Sequence, residues 1–301
     1  MLLLVLITII IIALLSQLKL DKTFEALVPI YADGQSEFYK WKGINVHFKD
    51  EGRGIPIIFL HGSSSSLHTW DKLTSHLKNE LRVIRVDLPG FGLTGPHPER
   101  DYSLNAYIQF LDAFTKYIGV SRFILAGNSW GGLLAWYYAS QQQQKVAGLI
   151  LIDAAGYRIS RIPKRFLACS YAVGRWMLRR TMSRWLIKLG LNEVYGVPGL
   201  VDNAVVTRYM DLSLRAGNRQ AFLDFMYKRE RPNVELLHHI QSPTLILWGR
   251  LDNLYAVEQA FAFQENLSNA TVAIVEDAGH VPMEEAPDIC AGHIRKFIDV
   301  L

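Results

Sequence analysis

The most constraining feature of this 301-residue chain is the segment around Ser129. Residues 122–132 read Arg-Phe-Ile-Leu-Ala-Gly-Asn-Ser-Trp-Gly-Gly, in which an apolar run ends at Gly127 and helical spacing begins near Leu133. Gly-x-Ser-x-Gly between a strand and a helix is typical of a nucleophile elbow, where glycines let backbone segments pass close to a serine in a strained turn. An ordinary glycine-rich turn is the alternative, and the flanking strand and helix favour the elbow.

A serine hydroxyl needs a base to become a nucleophile, so the elbow predicts a histidine and a carboxylate downstream. Asp252 and His280 each lie shortly after an apolar run of strand type. Catalytic groups in open α/β sheets gather in loops at the carboxyl ends of strands. We therefore predict Ser129, Asp252 and His280 as a catalytic triad. Asp153, which ends another apolar run, is the alternative acid.

Two backbone N–H groups are expected to stabilise the oxyanion, one of them on the residue after the nucleophile. That residue is Trp130. The second is expected after the apolar run Ile55–Leu60, where Gly62 allows a turn and Ser63 or Ser64 presents its N–H. We predict the oxyanion hole from Ser63 and Trp130. The serine run after Gly62 also fits a flexible loop that caps the next helix.

Apolar runs alternate with stretches of helical spacing over residues 40–156 and 236–301. This alternation indicates an α/β fold in which helices flank a mostly parallel sheet. It breaks over residues 157–235, which look helical, so we predict a catalytic domain (40–156 and 236–301) with an inserted helical cap (157–235). The predicted strands are Ile44–Phe48, Ile55–Leu60, Arg82–Asp87, Phe123–Ala126, Gly148–Ile152, Thr244–Trp248 and Thr271–Val275.

These motifs resemble the α/β-hydrolase superfamily, and the resemblance covers nearly all of the chain after about residue 40. Residues 87–92, Asp-Leu-Pro-Gly-Phe-Gly, are similar to the family's loop after the second parallel strand, and residues 280–287 to its His loop. The elbow and the His loop are most similar to those of small bacterial lipases, monoacylglycerol-lipase-like enzymes and carbon–carbon bond hydrolases. Trp130 stands where many of those relatives carry Met, which implies a narrower and more aromatic pocket beside Ser129.

The resemblance implies a serine hydrolase that cleaves carboxylic esters, lipid-derived or acyl, through an acyl-enzyme. The alternative is a carbon–carbon bond hydrolase of vinylogous diketones with the same triad and a carboxylate-binding pocket. A catalytically silent binding protein is a third interpretation, which the complete set of triad and oxyanion elements disfavours. Position 129 is Ser, whereas haloalkane dehalogenases and epoxide hydrolases of this fold use an Asp nucleophile.

No cofactor is expected from the sequence. It contains no Walker loop, no dinucleotide fingerprint, and no His, Cys, Asp or Glu cluster with metal-ligand spacing. The expected ligand is a small-molecule ester, and nothing implies nucleic acid or an obligate protein partner. The two cysteines, Cys169 and Cys290, make no disulfide framework.

Two features predict association with a membrane. Leu2–Leu15 carries no charge, and residues 1–20 are predicted as an uncleaved N-terminal anchor because a basic n-region and a small-x-small cleavage site are absent. The predicted cap carries 15 Lys/Arg against 6 Asp/Glu. Within it, residues 178–189 are predicted as one amphipathic helix that lies in the membrane interface or covers the pocket. The flanking charges do not decide the side of the membrane.

Overall fold

Within residues 18–301, the range that the computed structural model describes, eight strands form one sheet. The strands are β1 Ser36–Trp41, β2 Ile44–Glu51, β3 Ile55–Leu60, β4 Leu81–Val86, β5 Phe123–Asn128, β6 Val146–Ile152, β7 Thr244–Gly249 and β8 Ala270–Val275. Their order across the sheet is β1-β2-β4-β3-β5-β6-β7-β8. Strands β3 to β8 pair in parallel, and β1 and β2 add an antiparallel edge. The predicted mostly parallel α/β sheet is confirmed.

Helices cover both faces of this sheet. The helices of the described residues are α1 Phe24–Tyr31, α2 Asp71–Leu77, α3 Leu104–Tyr117, α4 Trp130–Gln141, α5 Lys164–Ala168, α6 Ala172–Arg180, α7 Arg184–Val194, α8 Asn203–Ser213, α9 Asn218–Lys228, α10 Glu258–Asn266, α11 Pro282–Glu285 and α12 Pro287–Ile298. Short 3₁₀ turns occupy Leu67–Trp70 and Val234–His239. Every residue of β5 and of β7 is buried, because apolar clusters pack on either side of the sheet. Central strands covered on both faces explain the continuous apolar runs in the sequence.

Five helices, α5 to α9, lie between β6 and β7, where the sequence predicted a helical insertion. Most of the core side chains come from the sheet and its flanking helices, whereas α5 and α6 contain no buried residue. The division into a catalytic domain and a cap stays a prediction, and we use the word cap for residues 157–235.

The predicted single helix over residues 178–189 is wrong. Helix α6 ends at Arg180 and α7 begins at Arg184, with Thr181 in an extended conformation between them (φ −113°, ψ 147°). Thr181 forms an antiparallel bridge with Leu18, and the Lys19 N–H donates to the Arg180 carbonyl at 3.1 Å. This pairing joins residues that are distant in sequence, so helical periodicity within the cap could not reveal the break.

None of the helices in residues 18–301 combines the length and the hydrophobicity needed to cross a bilayer. The apolar run on which the predicted anchor depends, Leu2–Leu15, lies outside the described residues.

The first turn of α4 crosses the ends of β3 and β5 at very short range. A Cβ atom added to Gly131 would lie 2.1 Å from the Leu60 carbonyl oxygen, and one added to Gly127 would lie 2.2 Å from the Gly131 carbonyl oxygen. Both distances fall far inside van der Waals contact, so only glycine fits at these positions without movement of backbone.

Gly131→Ala is therefore expected to lower the free energy of unfolding by at least about 2 kcal/mol, since the clash is with backbone that cannot rotate away. The matched control is Gly292→Ala in α12, where no atom lies within 4 Å of the added Cβ. That substitution should raise stability by up to about 1 kcal/mol, because alanine favours a helix interior. Urea unfolding of both variants checks the prediction, and equal stability of the two would contradict it.

Candidate active site

Ser129 occupies a strained turn between β5 and α4. Its backbone has φ 55° and ψ −117°, a left-handed value that non-glycine residues rarely adopt. Three backbone hydrogen bonds hold it there: its N–H donates to the Ile152 carbonyl at 3.1 Å, and its carbonyl accepts from Leu133 and Ala155 at 3.0 and 2.9 Å. A strained residue held by its surroundings is typical of functional sites.

His280 and Asp252 are hydrogen-bonded to each other. The two atoms Nδ1 of His280 and Oδ2 of Asp252 lie 2.7 Å apart, and both residues are buried. The second carboxylate oxygen of Asp252 accepts the backbone N–H groups of Leu254 and Tyr255 at 2.7 and 3.1 Å. The carboxylate is thus fixed from both sides, and the bond to Nδ1 directs the other ring nitrogen of His280 to a different partner.

Asn128 connects this histidine to the turn that carries Ser129. Its side-chain amide donates to the His280 carbonyl at 2.9 Å and to the Ile152 carbonyl at 3.2 Å. Ser129 and His280 line the same cavity, with a volume of about 420 Å³. The structure therefore brings all three predicted triad residues to one end of the sheet, while the triad roles remain a prediction.

The predicted oxyanion residues lie against the same turn. A Cβ atom added to Gly62 would lie 3.1 Å from the Ser129 Cβ, so the loop after β3 passes beside Ser129. Ser63 and Trp130 both line the cavity. Trp130 is the first residue of α4, where backbone N–H groups have no partner inside the helix. Ser64 adopts a left-handed conformation (φ 64°) and also lines the cavity, so the choice between Ser63 and Ser64 stays open.

Asp153, the alternative acid, is fully buried at the end of β6. Its Oδ1 accepts the Gly249 N–H at 3.0 Å, and its Oδ2 has no hydrogen-bond donor within residues 18–301. Burial, and next the nearby charge of Asp252, raise the pKa of Asp153 well above its ordinary value. The carboxyl group of Asp153 therefore favours its protonated form.

Asp153, Asp252 and His280 carry ligand-type atoms that all lie within 4.8 Å of one another. Sequence spacing gave no sign of this grouping, because the three residues follow three different strands. The contact between Asp252 and His280 already uses an oxygen and a nitrogen that a metal would need.

Two glutamates after His280 attach the His loop to the cap, and the sequence analysis gave them no role. The His280 N–H donates to the Val194 carbonyl at the end of α7, at 2.9 Å. One oxygen of Glu285 accepts the Gly196 and Val197 N–H groups, at 2.8 and 3.1 Å. The neighbouring carboxylate of Glu284 is buried and bonds to Thr69, Tyr195, Arg208 and Tyr209.

The wall of the cavity beside Ser129 is mainly apolar and aromatic. Trp130 packs edge-on against Phe225 of α9, with ring centroids 4.8 Å apart, and against Tyr107 at 6.0 Å. Most of the other lining residues come from the cap, including Met177, Leu178, Met182, Leu186 and Ile187. The wall beside Ser129 favours contact with a long apolar group over contact with a charged group.

Comparison with known proteins gives the family. A family profile for the alpha/beta hydrolase fold matches residues 55–287 of the chain. The chain belongs to the α/β-hydrolase family.

Individual relatives of this α/β hydrolase differ in activity. It is 24% identical over 283 residues to a cis-3-alkyl-4-alkyloxetan-2-one decarboxylase of Shewanella oneidensis, covering 87% of each chain. It is 25% identical over 304 residues to monoacylglycerol lipase abhd6-A of Xenopus laevis, covering 92% of this chain and 88% of the relative. The solved structure of a membrane phospholipase A, a bacterial virulence factor, matches with a TM-score of 0.75. The two chains are 27% identical, and the match covers 88% of this chain and 85% of the phospholipase. The relatives therefore support a hydrolase without fixing its substrate.

A matched pair of substitutions distinguishes Asp252 from Asp153 as the triad acid. Asp252→Asn is expected to lower kcat by roughly 10⁴-fold, because the amide no longer holds the His280 imidazole in its working tautomer. Asp153→Asn should cost about tenfold or less, since the amide resembles the protonated carboxyl that it replaces. Steady-state ester kinetics of both variants check this, and a larger loss at Asp153 would assign the triad acid to β6.

A pH series on the same Asp153→Asn protein tests the proton on Asp153. Because its pKa is raised in the folded protein, the unfolded chain loses this proton at lower pH than the folded one. Wild-type stability from this group therefore falls as pH rises above the ordinary pKa of 3.8, until the raised pKa is passed. The free energy of unfolding of Asp153→Asn should gain on wild type as pH rises above about 4. A constant difference would contradict the raised pKa.

Proposed function

We propose that this α/β hydrolase cleaves carboxylic esters by way of an acyl-enzyme on Ser129. The observation that carries the proposal is the buried His280–Asp252 pair, 2.7 Å apart, whose histidine lines one cavity with a serine held at a left-handed backbone angle. Nucleophile, base and orienting carboxylate on one end of the sheet are what acyl transfer needs.

The proposed reaction follows from these positions. His280 takes the proton of the Ser129 hydroxyl as the oxygen attacks the ester carbonyl, and Asp252 stabilises the imidazolium. Backbone N–H groups of Trp130 and Ser63 stabilise the oxyanion, aided by the positive end of the α4 dipole. The alcohol leaves with the proton from His280, and water then attacks the acyl-enzyme by the same route to release the acid.

The proposed substrate is a lipid-derived or acyl ester. Apolar side chains dominate the cavity, and a volume of about 420 Å³ is in the range of ligand sites that hold an acyl chain. Relatives named as a monoacylglycerol lipase and a membrane phospholipase A support this class. A vinylogous diketone, the substrate of the alternative carbon–carbon hydrolase, belongs in the same substrate screen.

Ser129→Ala and His280→Ala are each expected to lower turnover of p-nitrophenyl butyrate by at least about 10³-fold, because the residues act as one unit. Circular dichroism and melting temperature should stay near wild type. A fluorophosphonate probe should label wild type and leave Ser129→Ala unlabelled. Ester turnover at wild-type rate in either variant would disprove the proposed triad.

We further propose that the cap lies against an anionic membrane surface. Trp176 and Trp185 are 52% and 67% exposed, on neighbouring helices that also carry several exposed arginines. Leu18 pairs with Thr181 between these two helices, and the apolar run Leu2–Leu15 shortly precedes Leu18 in the sequence. Exposed tryptophans and cations together favour a lipid interface.

A protein that starts at residue 18 tests the cap apart from the proposed anchor, and it keeps the contacts of residues 18–22 with the cap. It is expected to bind vesicles that contain phosphatidylglycerol and to release them as salt rises, because surface charges are screened. A cationic residue near an anionic surface contributes about 1 kcal/mol, so a triple Gln variant should bind more weakly. The triple variant replaces Arg180, Arg184 and Lys188.

The matched control replaces three exposed cations away from the cap, Arg53, Lys116 and Arg122, with Gln. Co-sedimentation at low and high salt measures binding for both proteins, and turnover of a soluble ester shows that each is folded. Equal loss of vesicle binding in the two triple variants would mean that binding depends on the net charge of the protein rather than on the surface of the cap. Absence of binding at low salt would refute the membrane surface.

A further inference from the structure

Two arginines of the cap line the same cavity as Ser129. Arg165 lies on α5, and Arg229 directly follows α9. Within residues 18–301, no carboxylate lies within ion-pair distance of either guanidinium. The remaining residues, 1–17, contain no Asp or Glu at all.

The two guanidinium groups flank one pair of aromatic rings. The Arg165 Cζ lies 4.0 Å from the centroid of the Phe222 ring, and the Arg229 Cζ lies 5.3 Å from that of Phe166. The Phe166 and Phe222 rings are themselves 6.0 Å apart. The four side chains therefore form a continuous row, with a cation at each end and ring faces between them.

The surroundings of these arginines disfavour their charge. Burial lowers the pKa of Arg165 from 12.5 to about 10, and burial also lowers the pKa of Arg229. Both residues remain partly exposed, and both line the cavity. Contact with a ring face offsets only part of the cost of taking a guanidinium out of water.

Two other enclosed arginines are paired with carboxylates, whereas Arg215 lies 5.9 Å from the Phe24 ring centroid and makes no ion pair within residues 18–301. Arg208 bonds to Glu284, and Arg219 bonds to Asp21 at 2.6 Å. Glu193, an acidic residue that also lines the cavity, lies 3.8 Å from Lys164. Arg165 and Arg229 differ from Arg208 and Arg219 because an aromatic ring and the open cavity take the place of a carboxylate. They differ from Arg215 because they line the cavity that contains Ser129.

We propose that Arg165 and Arg229 form an anion subsite that binds a carboxylate or phosphate group carried by the ester substrate. This inference rests on the proposed ester hydrolysis and adds the chemical class of the substrate. Guanidinium groups bind both oxyanions through paired N–H donors, and the bonds strengthen where water is excluded. The apolar part of the same substrate occupies the rest of the chamber, beside Trp130.

The two arginines lie near two different parts of the proposed catalytic site. Arg165 also borders a smaller pocket with Ser64 and Ser65, in the loop that carries the proposed oxyanion donor. Arg229 lies near Tyr255, whose ring packs on His280 with centroids 5.6 Å apart. An anion held here positions a substrate within the chamber without contacting the proton-transfer groups.

Two esters with the same six-carbon acyl chain test the proposal: neutral p-nitrophenyl hexanoate and p-nitrophenyl hydrogen adipate, which ends in a carboxylate. Arg165→Gln and Arg229→Gln are each expected to lower kcat/KM for the adipate about 10- to 100-fold, mainly through KM, because a charged hydrogen bond is lost. Turnover of the hexanoate should fall much less than that of the adipate, since the neutral ester makes no such bond. Arg180→Gln, an exposed cation of α6 outside the cavity lining, is the matched control and should leave both substrates unchanged.

A second pair of substrates separates phosphate from carboxylate. If 1-acylglycerol 3-phosphate, and not its neutral 1-acylglycerol partner, loses turnover in the Gln variants, then the subsite binds a phosphate in the alcohol part. Arg165→Lys keeps the charge and should recover part of the loss, whereas a packing defect would not be repaired. Melting temperatures of all variants report folding.

The outcomes distinguish the two proposals. If wild type turns over neither neutral ester and resists the fluorophosphonate probe, ester hydrolysis itself is wrong. If neutral esters are cleaved and both Gln variants affect charged and neutral substrates equally, the anion subsite is wrong. A third outcome is that no ester is cleaved, but the Gln variants lose turnover of a vinylogous diketone that bears a carboxylate. That result would support the anion subsite and would assign carbon–carbon bond hydrolysis in place of ester hydrolysis.

Discussion

The structure depends on one place where backbone touches backbone with no side chain between. At the first turn of α4, Gly131 lies so close to the Leu60 carbonyl that a single added carbon would overlap it at 2.1 Å. This contact fixes where the helix starts, and therefore how far the chain must bend at Ser129 to reach it. The left-handed angle of Ser129 is the result of that bend, sustained by hydrogen bonds to β6 and to the chain after it. Loss of the close approach would relax the turn and lower the serine into the sheet.

A second constraint comes from two acids in one buried place. Two carboxylates this close cannot both be ionised without a large electrostatic cost. The surroundings resolve the conflict, because Asp252 receives two backbone N–H groups and the His280 ring, whereas Asp153 receives one N–H. Asp153, which has fewer donors, is the acid whose pKa is raised. The larger number of donors around Asp252 supports its proposed role as the triad acid.

Much of the fold could be predicted from the sequence because its signals are local. Most of the buried parallel strands are short apolar runs, and the glycines of the elbow mark a turn that few other structures need. Strand β1, Ser36–Trp41, was missed because it lies at the edge and mixes charged and aromatic residues without a regular alternation. The family and the mostly parallel sheet are confirmed, while the triad and the oxyanion residues remain predictions that the geometry supports.

What the sequence could not reveal arises from contacts between distant segments. The break between α6 and α7 depends on pairing with Leu18, more than 150 residues earlier in the chain. The roles of Glu284 and Glu285 depend on cap residues that fold onto the His loop. Within residues 18–301, the absence of a carboxylate near Arg165 is visible only when every neighbour is in place, because the sequence supplies six acidic residues in the cap.

The attachment of the cap to the His loop has a consequence for exchanging caps among related proteins. The end of α7 receives the His280 N–H, and the next residues donate to Glu285, so this stretch of cap is part of the frame that orients the histidine. A chimera that takes helices from a relative, but keeps the recipient's residues 280–285, would join two surfaces that evolved against different partners. The natural boundary for such a graft therefore lies before α7 and after Val197, or else the graft must include the His loop as well.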